Sequence, residues 1–115
     1  MGNNESSVDK TFDIVSKPSI DIISGYARLS RFFGNGPTLR LMIQEINATR
    51  RYAVSIRIVS VVAVDSYFDD FIITGQLIEI TRLGDSIYDI GTEISCHISY
   101  GKQDTNSLTV IPRRG

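Results

Sequence analysis

The chain has 115 residues, 42% of them hydrophobic and 22% charged, with a net charge of −1. That length bounds one domain with a single core and excludes a separate catalytic domain, and the near-zero charge gives no global electrostatic footprint. A sole cysteine, Cys96, excludes an intramolecular disulfide framework, and no apolar run reaches the roughly 18 residues of a membrane span.

No leader pattern is read at the start, so synthesis in the cytosol is expected, with the sequons at Asn4 and Asn47 unused. Residues 1–18 are polar and weakly patterned and predict a flexible N-terminal arm ending near Pro18, followed by one β-rich domain over 19–115. The start fits M-G-x-x-x-[ST], with Gly2 and Ser6 in place, the motif for myristoylation of Gly2 after loss of Met1. One acyl chain gives marginal, reversible membrane binding, so a second signal has to accompany it.

Ser19–Phe33 supports two readings. Ile20, Ile23, Ala27 and Phe33 follow a helical spacing with Ser19 as N-cap, while Tyr26–Phe33 also alternates as a strand. The turn Gly34-Asn35-Gly36-Pro37 tips the reading towards a strand entering a hairpin. That glycine turn lacks the lysine and hydroxyl of a phosphate loop.

From Thr38 to Asp65 two apolar runs flank a polar hinge. Leu39, Leu41 and Ile43 alternate, as do Val54, Ile56 and Ile58, which predicts two half-buried strands joined by a hairpin loop at 47–51. Val59, Val61 and Val62 read as a strand covered on both faces. Ser66–Asp70 turns the chain into a strand at Phe71–Ile80, and Gly84-Asp85 turns it again. Clean alternation from Tyr88 to Tyr100 predicts one long strand, and Ser107–Ile111 closes the sheet. The expectation is a mainly β domain, a single antiparallel sheet or sandwich of about six strands with at most one or two short helices.

Catalytic constellations are scarce, and the reading is of a protein that is not an enzyme. Cys96 and His97 are adjacent, so on a strand they face opposite sides and form no nucleophile–base pair. Cys96 reads as core and His97 as surface, and two such residues fall short of the four ligands of a structural zinc site. No metal or cofactor is expected. Asp69 and Asp70 read as turn chemistry.

Charge distribution says more. Residues 25–60 hold six arginines against Glu45, and residues 61–110 hold eight acids against Arg82 and Lys102. Such asymmetry fits one face meant for an anion, or two faces meant for each other. The candidate face is Arg28, Arg31, Arg40, Arg50, Arg51 and Arg57, interleaved with Tyr26, Phe32, Phe33 and Tyr52. Arginine suits planar phosphate and carboxylate contacts, and arginine with aromatics on a sheet can hold single-stranded RNA by charge and stacking. The bland alternative is a solvated strand face.

The run Tyr26-x-x-Leu29, then Gly36-Pro37-Thr38-Leu39-x-Leu41-x-Ile43, then Thr49-Arg50 leading to Ile58-x-Ser60-Val61, resembles the small matrix proteins of bornaviruses. The resemblance implies a compact β-rich protein that assembles as a tetramer and lines the inner face of a viral envelope. It implies contact with anionic lipid and with RNA or a nucleoprotein through basic surfaces, with Arg50 and nearby arginines as that face. This chain is shorter, its last third does not match, and the Gly2 motif is not part of that pattern. Ile78–Ser86 is similar to a strand–turn segment of hotdog-fold thioesterases, with 19–33 as the helix they wrap, and a plain β interaction module is the third reading.

Overall fold

A computed structural model describes residues 10–29, 32, 36–101 and 105–112. Its elements are β1 (Lys10–Ser16), α1 (Ile20–Leu29), β2 (Thr38–Glu45), β3 (Arg51–Ala63), β4 (Asp70–Leu77), β5 (Thr81–Leu83), β6 (Ser86–Tyr88), β7 (Glu93–Ser99) and β8 (Ser107–Ile111). The mainly β, antiparallel fold read from the sequence is the fold observed. Its sheet is a closed barrel, in the order β1-β2-β3-β4-β7-β8, and β5 with β6 forms a separate two-stranded hairpin.

Alternation builds the core. Leu39, Leu41 and Ile43 of β2 point inward beside Val54, Ile56 and Ile58 of β3, and all are buried. Phe71 and Ile73 of β4, Ile94, Cys96 and Ile98 of β7, and Leu108 and Val110 of β8 complete the ring. Closure comes from β1, which pairs β2 through Phe12↔Glu45 and β8 through Phe12↔Leu108. The flexible arm expected over 1–18 therefore has to be redrawn, because residues 10–16 are the strand that shuts the barrel. Phe12 is 0% exposed, and no mobile arm keeps a phenylalanine from water in this way.

The strand favoured for 19–33 is also corrected. Residues 20–29 form α1, which sets Ile23 and Ala27 into the core and Ile20 against it. Its start follows Pro18, with Ser19 accepting the first turn's N–H groups of Ile22 and Ile23. Asp21 in the first turn and Arg28 in the last complement the helix dipole. β1 and β2 are antiparallel neighbours, so α1 leaves and re-enters the barrel at one end. Lys17 Nζ donates to the Ser99 carbonyl and the Tyr100 hydroxyl to the Pro18 carbonyl, tying that end to β7. At the other end the β5–β6 hairpin brings in Leu83, 0% exposed.

Two further expectations are revised. The long strand expected from Tyr88 to Tyr100 breaks at Gly91, whose φ of +90° suits glycine, and Ile90 is 65% exposed. The valine run is not covered on both faces. The register slips between Ile58 and Ser60, a bulge that leaves Val61 inside and Val59 and Val62 exposed outside.

Candidate anion-binding face

On β2 and β3 the residues between the inward-pointing ones face outward. Across the ladder Thr38 opposes Arg57, Arg40 opposes Ser55, Met42 opposes Ala53 and Gln44 opposes Arg51. Arg40 and Arg57 are diagonal neighbours, and Arg51 lies at the far end of β3, roughly 20 Å from Arg57 at about 3.3 Å per residue. Arg50 adjoins Arg51 in the β2–β3 turn and is exposed. No carboxylate lies on this outward face of the two strands. Glu45, at the end of β2, turns aside. Its Oε1 accepts from the Tyr52 hydroxyl at 2.7 Å and its Oε2 lies 3.7 Å from Lys10 Nζ. That hydroxyl bond, with the charges of Lys10 and Arg50, holds the Glu45 carboxyl below its ordinary value against the opposing effect of desolvation.

The five described arginines of this set do not form one surface. Arg40, Arg50, Arg51 and Arg57 gather on the β2–β3 side, with Arg51 Nε donating to Gln44 Oε1 at 3.0 Å. Arg28 lies on α1 at the opposite end, its guanidinium 5.6 Å from the centroid of the Phe68 ring. Arg31 and Gly2 lie outside the described residues. The aromatics expected to interleave with the arginines turn away from them. Tyr52 packs edge-on against Phe12, Tyr26 against Phe32, and all three partly buried rings lie against the core. Phe33 is outside the described residues.

Arg57 differs from its neighbours in being half-buried, and its Nε is buried without a hydrogen-bond partner among the described residues. An unmade bond at a buried donor costs about 1–3 kcal/mol, more where the group is charged. A pocket of about 150 Å³ opens beside it, lined by Arg57, Gln76, Leu77, Ile78, Ile90 and Gly91. Sequence reasoning named Arg57 but missed Gln76 and the 90–91 turn. No local pattern links these segments, because they meet only where the chain leaves β4 for the hairpin and returns.

Cys96 is a core residue as expected, and burial pushes its thiol up to about 12. His97, expected at the surface, is half-buried, and its Nε2 meets Asp70 Oδ1 across the β4–β7 ladder. Asp70 is therefore more than turn chemistry. The class defined by fold and face is a small closed antiparallel β-barrel with an arginine-bearing outer wall. No family model, curated protein or solved structure matches this chain.

Proposed function

We propose that the protein is a non-enzymatic assembly protein of the viral matrix type, held on an anionic membrane by the outer wall of β2 and β3. One observation carries the proposal: Arg40, Arg51 and Arg57 face outward together on two strands whose outer face bears no carboxylate. Each arginine near an anionic leaflet contributes about 1 kcal/mol, screened by salt. Myristoylation of Gly2 would add the apolar half of the attachment, and the site of action would be the cytoplasmic leaflet and the inner face of an envelope. Lipid is preferred to single-stranded RNA as the main partner because stacking needs rings beside the arginines, and Tyr26, Phe32 and Tyr52 pack against the core instead.

Self-association belongs to the same proposal. Barrel closure pairs every edge of the main sheet, so copies would meet through outer faces, where Val59, Val62 and Val64 are exposed.

The test is flotation of the unacylated protein with neutral and anionic liposomes at low and high salt. Wild-type protein should rise with anionic vesicles and be released by salt. Arg50→Glu with Arg51→Glu removes about 2 kcal/mol of attraction and adds comparable repulsion, so binding should weaken at least tenfold. Unchanged binding by the double variant would overturn the arginine wall as the contact.

A further inference from the structure

We propose that the pocket beside Arg57 is a seat for a phosphate ester, the phosphate of an anionic phospholipid headgroup. This deepens the membrane reading and rests on it. The wall arginines act at long range on any negative surface, whereas this pocket is a half-open cavity with Arg57 in its lining. Arg57 and Gln76 are cross-strand partners on the outer face of β3 and β4. Arg57 presents a buried, unpartnered Nε–H, and Gln76 presents a neutral amide beside it in the lining.

The rest of the cavity is fixed by backbone. Ile78 N–H donates to the Ser55 carbonyl at 3.2 Å, and Leu77 and the 91–92 turn exchange two bonds, Gly91 N–H to the Leu77 carbonyl and Leu77 N–H to the Thr92 carbonyl, each 2.9 Å. These bonds fix the backbone on either side of the pocket, and Ile78 and Ile90 supply apolar lining. A bare anion has no use for such walls. An ester does, because its carbon side lies against Ile78 and Ile90 while its oxygens accept from Arg57 and Gln76. The nearest acids by position, Glu79 after Ile78, Glu93 opposite Gln76 and Asp89 before Ile90, are all exposed and none lines the pocket. A guanidinium is a planar fork that holds two phosphate oxygens, which an ammonium cannot copy.

The experiment is a nitrogen-15 NMR titration of the full chain, following the Arg57 Nε–H and the Gly91 amide. The probes are inorganic phosphate, dihexanoyl phosphatidylglycerol below its micelle concentration, and neutral diacylglycerol of the same chain length. The expected result is a saturable shift of both signals with the phospholipid, a weaker response to phosphate and none to the neutral lipid. Arg57→Gln should weaken the phospholipid response at Gly91 about tenfold or more, the loss of one charge-assisted bond. Arg57→Lys should not restore it.

A response to inorganic phosphate alone would overturn the ester seat in favour of a small-anion site. Silence at both signals would overturn it outright, even if vesicles still float the protein, in which case the arginine wall stands without the pocket. Saturation by the phospholipid without vesicle flotation would keep the seat and remove the membrane-assembly role, so the two proposals fail separately.

Discussion

Tyr100 donates its hydroxyl to the Pro18 carbonyl, and its ring packs edge-on against Phe71. Burial pushes its phenol up to about 12, above the value near 10 that an unfolded chain shows. The folded state therefore disfavours the phenolate, and the contribution is fully present below pH 10 and is lost as pH rises towards 12. Denaturant midpoints measured from pH 9 to 12 should fall across that window, and Tyr100→Phe should flatten the fall. An equal fall in the variant would assign the alkaline transition to other groups. Glu45 works in the other direction. Its carboxyl, lowered chiefly by the Tyr52 hydroxyl, contributes above the unfolded carboxylate value and loses that contribution as pH drops through its folded one.

The helix shows what element-level reading can and cannot reach. Gly25 sits in the interior of α1, is exposed, and a Cβ built on it would meet nothing within 4 Å. Glycine costs a helix interior about 0.5–1 kcal/mol relative to alanine, so Gly25→Ala should raise unfolding stability by about that amount in a urea melt. A loss of stability would show that this position is crowded or not helical. Gly75 is the opposite case, because a Cβ there would lie 2.5 Å from the Arg57 carbonyl oxygen. The β2–β3 hairpin was legible because alternation and burial agree over Leu39–Ile43 and Val54–Ile58, up to the bulge in β3. Helix α1 was not, because Ser19–Phe33 satisfies both periods and the choice is made by packing Ile23 and Ala27 into the core. β1 was hidden for a related reason: just Phe12 and Ile14 of its seven residues point inward, too few to outweigh the polar residues around them. Of the candidate face, Arg40, Arg51 and Arg57 follow from strand alternation once the inward leucines and isoleucines are known. The pocket at Arg57 depends on Gln76 and the 90–91 turn, whose meeting is a matter of topology.

At the scale of the whole molecule, the barrel is closed by its two terminal strands. β8 pairs β7 through Cys96↔Leu108 and β1 through Phe12↔Leu108, so one five-residue strand holds the sheet shut. Its inward residues, Leu108 and Val110, are both 0% exposed, and burying two such side chains contributes about 1.5–3 kcal/mol each. Removing residues 107–115 would take that away and leave β1 and β7 with unpaired N–H and C=O groups along flanks that also carry apolar side chains. Edges of that kind pair with other chains. The truncated protein should lose cooperative unfolding and form thioflavin-binding aggregates at concentrations where the full chain does not. Adding the missing strand as a separate peptide should restore solubility, because the gap between β1 and β7 is shaped for it. A truncated chain that stays monomeric and melts cooperatively would mean that the sheet can close, or be capped, without β8. In that case the truncated chain, which keeps the outer wall of β2 and β3 on the far side of β1 from the cut, should still float with anionic vesicles if the proposed membrane contact holds, and that contact would be separable from barrel closure.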